Sequence, residues 1–303
     1  MSEITALQKP TIASYAMVGS LVLIWGTTFL LVKFALEEAS ATLVAAARIL
    51  IGGAALIPFA ILTGRKIPRG RGRWISGIAI GVFSLTIPMS LLAWAQQVVP
   101  SGVAGVYMAV IPLLVLPLAH VFSPGERMTP RKLSGFMIGF TGVLLLLGWE
   151  TLMALGSTDG LAQLACLGAT LSYAVGSIMT RRTPPTDPIA LSALGFVVGG
   201  LLILPFAVAA WPTEALSMRT WAIFLVIGVV STGMAMILRV KIITSVGSVF
   251  MSGVGYLVPI TALAVGVMFA GEILIWSDLV ACAFILAGLA VASRRPVSRR
   301  KSP

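Results

Sequence analysis

Residues 52–60 read GGAALIPFA, and residues 199–207 read GGLLILPFA. The two stretches lie 147 positions apart, and at the same offset the segment 101–112 aligns with the segment 248–259. A one-residue gap extends the alignment to two further pairs, Glu126 with Glu272 and Gly142 with Gly288. Because several matches share one offset, the chain is predicted to contain a duplicated unit, with residues 1–150 as the first copy and 151–303 as the second.

The composition predicts that each copy is built of membrane-spanning helices. Apolar residues make up 58% of the 303 positions and charged residues only 10%, whereas a soluble domain carries about 25% charged residues. One bilayer span needs about 20 mostly apolar residues. Spans with short connections then use nearly the whole length, and we predict them near residues 13–33, 41–62, 74–97, 102–122, 133–149, 160–180, 188–210, 220–240, 246–269 and 275–292.

An odd number of spans in each copy determines how the copies are related. After five spans the chain is on the side of the membrane opposite to where it began, so the second copy is predicted to be inverted relative to the first. The predicted fold class is therefore an all-α membrane protein, in which ten transmembrane helices form two inverted five-helix repeats around a central cavity. Such symmetry is typical of secondary transporters, because two similar halves can exchange conformations.

The distribution of basic residues predicts the orientation. The net charge is +11, and 18 of the 21 Lys and Arg residues fall on one side when the amino terminus is placed in the cytoplasm. This count groups Arg239, at the end of the span 220–240, with Lys241 in the cytoplasmic segment that follows. The positive-inside rule then predicts a multi-pass protein of the cell (inner or plasma) membrane, with both termini and a basic tail in the cytoplasm. The positive charge is thus a topology signal, and no nucleic-acid partner is predicted.

The motifs of enzymes and ATP-driven pumps are missing from the sequence. It contains no His-Glu-x-x-His, no Gly-x-Ser-x-Gly and no Gly-x-x-x-x-Gly-Lys-[Ser/Thr]. Asp278, near the start of the span 275–292, is the one acidic residue within a predicted span, and Cys166 and Cys282 both sit in apolar stretches. We therefore predict a protein that is not an enzyme and that uses no cofactor and no metal.

The same residues resemble the drug/metabolite transporter superfamily, in its ten-helix branch with two EamA-type domains. Trp25-Gly26-Thr27-Thr28-Phe29 is similar to the first-helix motif of that family, and Tyr173-Ala174-Val175-Gly176-Ser177 is similar to its counterpart in the second half. Pro112 with Glu126, and Pro259 with Glu272, resemble the ends of the two domains. The resemblance implies export or exchange of amino acids, related metabolites or drugs through a central cavity.

The predicted function is secondary transport of small metabolites such as amino acids, by export or exchange through alternating access. Two alternatives remain, a multidrug or cation efflux antiporter and a non-transporting membrane receptor or scaffold. The absence of a carboxylate from the middle of the predicted spans favours a neutral, zwitterionic or anionic substrate. The predicted partners are a small-molecule substrate and the lipid bilayer, with a monomer or a weak homodimer as the assembly.

Arg48 is the one basic residue that the sequence places well inside a span. A charge there costs roughly 2.5–3.5 kcal/mol by insertion scales, so it needs a cavity or polar partners. It either binds an anionic group of the substrate or snorkels toward a helix end.

Further cavity candidates are aromatic or polar residues within the spans or near their ends: Trp25, Thr28, Trp94, Gln97, Tyr107, Tyr173, Ser177 and Tyr256. Their rings and hydroxyl or amide groups could hold a substrate. The alternative roles are interfacial anchoring for the aromatic residues and hydrogen bonding to the same helix for the hydroxyls. Pro112 and Pro259 occupy matching repeat positions and are the predicted hinges.

Overall fold

A computed structural model describes residues 8–122, 129–153, 158–273 and 275–293 of the chain. These residues fold into helices, and no β-strand occurs among them. We number the helical segments in chain order: α1 (Ile12–Ala35), α2 (Ala41–Leu62), α3 (Arg71–Ala95), α4 (Ser101–Phe122), α5 (Pro130–Met153), α6 (Thr158–Arg181), α7 (Pro188–Ala209), α8 (Met218–Ser245), α9 (Ser248–Ser252 continued by Val254–Ala270) and α10 (Trp276–Ser293).

The apolar character of these helices is that of a membrane protein. Seven of the described segments are long and apolar enough to cross a bilayer, namely α1 to α4 and α6 to α8. Two shorter apolar helices, Leu257–Ala270 and Trp276–Gly288, lie within α9 and α10. Large apolar side chains such as Leu62 and Leu201 are exposed on the outer surface, where lipid is the natural solvent.

Local sequence signals explain where several helices begin. Thr11 and Ser14 form a capping box at the start of α1, and the Ser40 side chain accepts a hydrogen bond from the Leu43 amide at the start of α2. Asp187 caps α7 in the same way, directly before Pro188. Each cap satisfies backbone donors that a helix leaves unpaired in its first turn.

The structure corrects one predicted helix end. The sequence ends the eighth span near residue 240 and counts Arg239, at that end, with the following cytoplasmic segment, but α8 continues to Ser245. Arg239 therefore lies inside the helix, where it is buried. The prediction was wrong because a basic residue in an apolar stretch looks like the end of a span when its tertiary partners are unknown.

Two stretches of π-helix interrupt otherwise regular α-helices. Ile80–Thr86 lies within α3 and Val226–Met234 lies within α8. Such stretches are rare and occur frequently at functional sites. Pro88, which lacks an amide hydrogen, follows the stretch in α3, and the Thr232 hydroxyl donates to the Ile227 carbonyl at 2.6 Å in α8.

The helix contacts follow a twofold pattern. If α1 is equated with α6, α2 with α7, and so on to α5 with α10, each contact below has a counterpart. Helix α1 packs on α9 as α6 packs on α4, and α2 packs on α8 as α7 packs on α3. Helix α2 also packs on α7, and α5 packs on α10. The two π-helical stretches occupy corresponding places in this pattern, since they lie in α3 and in α8.

Glycines allow the closest of these approaches. A Cβ atom at Gly81 in α3 would lie 2.7 Å from the Cβ of Val198 in α7, and one at Gly228 in α8 would lie 2.8 Å from the Cβ of Ile51 in α2. At the α5–α10 contact, a Cβ atom at Gly288 would meet the backbone of α5. These backbones pack closely because no side chain separates them.

Polar contacts join the loops at one end of the bundle, which we call the α1–α2 end. Arg219 at the start of α8 pairs with Glu37 at 2.8 Å, and Glu38 accepts hydrogen bonds from Ser217. These hydrogen bonds, from the backbone and the side chain of Ser217, lower the pKa of Glu38. The loop after α1 is thus attached to the loop before α8.

Glu272, between α9 and α10, forms the central contact of the α1–α2 end. Its carboxylate accepts hydrogen bonds from the Ser101 hydroxyl at 2.6 Å and from the amides of Ser101 and Gly102, and it pairs with Lys33 at 2.9 Å. Burial opposes ionisation of Glu272, but these hydrogen bonds outweigh it and lower the pKa of the carboxyl group. A carboxylate at the first turn of α4 is also favoured by the helix dipole.

A separate set of contacts joins the loops at the opposite end. Arg65 pairs with Asp187 at 3.0 Å, and Arg73 donates to the Thr186 hydroxyl at 3.0 Å. These contacts link the loop between α2 and α3 to the loop between α6 and α7. In both sets, each contact joins loops at one end of the helix bundle.

Candidate functional site

A cavity lies between the helices, lined by residues of α1, α2, α3, α4, α6, α8 and α9. It comprises about 880 Å³ of empty space, including the part that is open to solvent. The helices of both repeats contribute to its wall. Five residues that the sequence singled out lie in this wall: Trp25, Thr28, Arg48, Tyr173 and Ser177.

Arg48 extends from α2 into the cavity and has few partners. It is only 6% exposed, and its Nε atom donates a long hydrogen bond of 3.4 Å to Thr232 Oγ1. No residue in the described part of the chain accepts a hydrogen bond from its two terminal nitrogens. These nitrogens are also not among the fully enclosed side-chain atoms that lack a partner, which in the described part are Thr183 Oγ1 and Ser248 Oγ. The terminal nitrogens therefore face the cavity space, with four N–H donors available.

Arg239 is a second buried guanidinium in the same cavity, and the sequence analysis did not identify it as a site residue. It is 3% exposed and lines the cavity from α8. Its terminal nitrogens donate to the Ser84 hydroxyl at 3.0 Å, to the Ser177 hydroxyl at 2.9 Å and to the Tyr173 carbonyl at 3.5 Å. Uncharged oxygen atoms thus accept its hydrogen bonds, and none of them neutralises the positive charge of the guanidinium.

The two guanidinium groups make the cavity positive. The ion pairs of the described residues lie at the ends of the bundle, and neither Arg48 nor Arg239 takes part in them. Among the acidic residues whose side chains the structure describes, none lines the cavity. Two fixed positive charges therefore face one space of low polarity, where charge interactions are stronger than in water.

The remainder of the wall is mostly apolar and aromatic. Four methionines line it, at positions 89, 108, 236 and 251, and thioether side chains adapt to ligands of varied shape. Trp25 is fixed in place because its Nε1 donates to the Ser231 carbonyl in the π-helical stretch of α8 at 3.2 Å. Tyr173 lines the cavity with both arginines, and its carbonyl accepts a hydrogen bond from Arg239. The cavity thus combines fixed cations with apolar surface.

The hydroxyl groups have mixed roles. Thr28 donates to the Ile24 carbonyl of its own helix at 2.6 Å, as buried hydroxyls in helices commonly do. Ser177 donates to the Tyr173 carbonyl and also accepts a hydrogen bond from Arg239. Ser177 therefore helps to position a charged side chain, whereas Thr28 contributes mainly its shape to the wall.

The other candidates lie elsewhere. Tyr107 is fully buried between helices and donates to Gln163 Oε1 at 2.7 Å, so its hydroxyl group does not reach the cavity. Trp94 and Gln97 are exposed, and the Gln97 amide donates to the Trp94 carbonyl at 3.1 Å. The neighbouring Gln96 lines the cavity instead and donates to the Phe29 carbonyl. The side chain of Tyr256 lies outside the described part of the structure.

The two predicted hinge residues are buried inside helices. Pro112 lies in α4 and Pro259 lies in α9. A Cβ atom at Gly255 would lie 3.2 Å from the Pro112 ring, so Pro112 packs on α9 beside the cavity. Their role as hinges remains a prediction.

The described residues also contain no cluster of three or more His, Cys, Asp and Glu side chains that could hold a metal ion. Glu126, which the sequence pairs with Glu272, lies outside the described residues.

Comparison with known proteins gives consistent results. The EamA-like transporter family matches the chain twice, over residues 13–148 and 160–294. The uncharacterized inner membrane transporter YedA of Escherichia coli (strain K12) is 27% identical over 260 residues, covering 84% of this chain and 82% of that protein. A probable terminal-alkyne amino-acid exporter of Streptantibioticus cattleyicolor is 26% identical over 287 residues, covering 92% and 93%.

Another relative and a solved structure agree with these matches. The uncharacterized transporter YoaV of Bacillus subtilis (strain 168) is 24% identical over 255 residues, covering 82% of this chain and 85% of that protein. One crystal structure shares the fold with a TM-score of 0.69 at 22% identity, covering 93% of this chain and 97% of that chain. The family and the names of these relatives point to transporters rather than enzymes.

Proposed function

The chain belongs to the EamA-like transporter family, and we propose that it is a secondary transporter of small metabolites that carry a carboxylate, such as amino acids, acting as an exporter or exchanger by alternating access. The observation that carries this proposal is the exposure of the Arg48 terminal nitrogens to the cavity without a partner in the described structure. A carboxylate accepts two parallel hydrogen bonds from such a guanidinium. The substrate would thus supply the missing counter-charge.

The apolar wall supports an organic substrate. Trp25 and the cavity methionines offer surface for the apolar part of a ligand whose carboxylate is bound at Arg48. An inorganic anion would leave this surface without a partner. A cationic drug would meet two fixed positive charges and no carboxylate among the described residues of the cavity wall, which disfavours the alternative of cation efflux.

The proposed mechanism rests on ten transmembrane helices in two inverted repeats. The corresponding contacts of α1–α5 and α6–α10 support it, as do the π-helical stretches at corresponding places in α3 and α8. In this mechanism the two halves exchange conformations, and the central cavity opens first to one side of the membrane and then to the other. The Glu272 contact with Ser101 and Lys33 joins the halves at the α1–α2 end and must separate when that end opens.

The proposed location is the inner or plasma membrane, with both termini and the basic tail in the cytoplasm. The α1–α2 end then faces away from the cytoplasm. The polar contacts support this topology, because they join loops within one side only. We propose a monomer or a weak homodimer, since the Gly288 contact is used within the chain, between α5 and α10.

The test of this proposal is uptake into proteoliposomes of labelled amino acids, monocarboxylates, sugars and a cationic dye. We expect transport of carboxylate-bearing solutes and a loss of roughly 10- to 100-fold in Arg48→Gln, since hydrogen bonds to a charged group contribute about 1.5–3 kcal/mol. Arg48→Lys should restore part of the activity, because it returns the charge without the planar pair of donors.

Arg219→Gln is the matched control for Arg48→Gln. It removes the same charge from an exposed ion pair at the α1–α2 end and should transport at the wild-type rate. Equal transport of every solute by wild type and Arg48→Gln, at equal protein levels, contradicts the carboxylate site. Transport of the dye alone contradicts the proposed substrate class.

A further inference from the structure

We propose that the cavity selects organic dianions, with one acidic group bound at Arg48 and the second facing Arg239. This inference rests on the proposed function and specifies its substrate class. The two arginines are both more than nine-tenths buried, and both line one cavity. A substrate with a single carboxylate compensates only one of these two charges.

The contacts of Arg239 show why a second negative charge is needed. Its terminal nitrogens donate to Ser84, Ser177 and Tyr173, which supply two hydroxyl oxygens and one carbonyl oxygen. These acceptors solvate the guanidinium and hold it in place, but they carry no net charge. Removing an ion from water costs several kcal/mol even after relaxation, unless an opposite charge lies nearby. When the cavity closes around the substrate, the charge of Arg239 remains to be compensated.

Helix α8 relates the positions of the two guanidinium groups. The Arg48 Nε atom contacts Thr232 on α8, and Arg239 lies seven residues further along the same helix, or about 10 Å along its axis. The Arg239 side chain returns toward Thr232, since its Nη1 atom also contacts the Met236 sulfur, as expected from the tilt of side chains on a helix. Tyr173 lines the same cavity as both arginines, and its carbonyl accepts a hydrogen bond of 3.5 Å from Arg239.

The wall between the two charges favours a hydrocarbon linker. Met236 lies between Thr232 and Arg239 on α8, and it lines the cavity together with other methionines. A highly polar linker would make no favourable contact with this apolar surface, whereas a short carbon chain packs against the thioether groups. The inferred ligand class is thus a small organic acid with acidic groups at both ends.

The experiment measures binding of three five-carbon probes to the full-length wild-type protein in detergent. Glutarate carries two negative charges, valerate carries one, and 1,5-diaminopentane carries two positive charges. The midpoint of thermal unfolding rises with ligand occupancy of the folded state, so titrations give an apparent Kd for each probe. We expect glutarate to bind at least roughly tenfold more tightly than valerate, and the diamine to leave the midpoint unchanged.

Two substitutions assign the charges. Arg239→Gln should weaken glutarate at least roughly tenfold more than it weakens valerate, whereas Arg48→Gln should weaken both acids strongly. Arg239→Lys keeps the charge and should retain the preference for glutarate. The exposed Arg219→Gln should bind as wild type does.

The outcomes separate the two proposals. Equal affinities for glutarate and valerate in wild type overturn the dianion inference, and so does an unchanged glutarate affinity in a folded Arg239→Gln. Either result leaves the carboxylate transporter standing if valerate binding depends on Arg48. Stabilisation by the diamine alone, or by neither acid, overturns both proposals. The wild-type comparison needs no variant, so it remains decisive if Arg239→Gln does not fold.

Discussion

The guanidinium groups of Arg48 and Arg239 differ in how their hydrogen bonds are used. Arg48 keeps its terminal nitrogens directed at the cavity, and Arg239 directs its own at Ser84, Ser177 and the Tyr173 carbonyl. The first is suited to contact a ligand. The second is held in one position by oxygens from α3 and α6, and it acts on a ligand mainly through its charge.

Glu272 is the residue whose protonation should affect the stability of the α1–α2 end. Its folded-state pKa is lowered, so ionised Glu272 stabilises the fold above the ordinary carboxyl pKa, and this contribution is lost as the pH falls through the lowered value. We expect Glu272→Gln to lower the midpoint of thermal unfolding at pH 7, and the difference from wild type to shrink below about pH 4.5.

The control for Glu272→Gln is Glu214→Gln, which changes an exposed carboxylate in a loop at the same end. It should leave the midpoint unchanged at both pH values. A Glu272→Gln protein that unfolds with the wild-type midpoint at pH 7 contradicts the role given to the contact with Ser101 and Lys33.

At the scale of the elements, the π-helical stretches and the glycine contacts set the shape of the cavity. The stretch in α8 carries Ser231 and Thr232, which hold Trp25 and Arg48. Its Gly228 lets α8 approach α2, the helix that carries Arg48. A residue larger than glycine at position 228 would push α8 away from α2 and so move the Arg48 guanidinium relative to Thr232.

Gly228→Ala tests this close approach. The added methyl group would lie 2.8 Å from Ile51 Cβ, which is tighter than packed side chains tolerate, so we expect a loss of stability of about 1–3 kcal/mol. Gly19→Ala is the matched control, because no atom lies within 4 Å of the added group. Thermal unfolding of both variants measures the effect. Equal midpoints for the two variants would show that α8 does not pack on α2 as described.

The sequence predicts these elements unevenly. Apolar length and caps such as Ser40 indicate where helices lie, because those signals are local. The sequence analysis predicted neither of the π-helical stretches, Ile80–Thr86 and Val226–Met234. Arg239 was counted with the following cytoplasmic segment because its partners Ser84 and Ser177 lie on other helices, distant in sequence.

At the scale of the whole molecule, the internal repeat and the charged loops predict more than any single residue does. The repeat relates helices that are distant in sequence, and their contacts follow the same relation. The sequence could not predict which face of each helix lines the cavity. Apolar residues face both lipid and neighbouring helices here, so Tyr107 and Tyr173 were both predicted as cavity residues, although only Tyr173 lies in the cavity wall.

The central claim is that one cavity opens alternately to the two sides of the membrane. Met89 lines the cavity and is buried, so Met89→Cys places a thiol there. Wild type is the control, because its Cys166 is fully buried away from the cavity wall and Cys282 is also buried.

The most direct measurement is labelling of Met89→Cys by a membrane-impermeant thiol reagent in right-side-out and in inside-out vesicles. We predict labelling from both sides, slowed in both cases by an excess of a transported carboxylate, with no labelling of wild type. Labelling from one side only, with or without the carboxylate, would contradict alternating access. It would instead indicate a binding pocket that is accessible from a single side of the membrane.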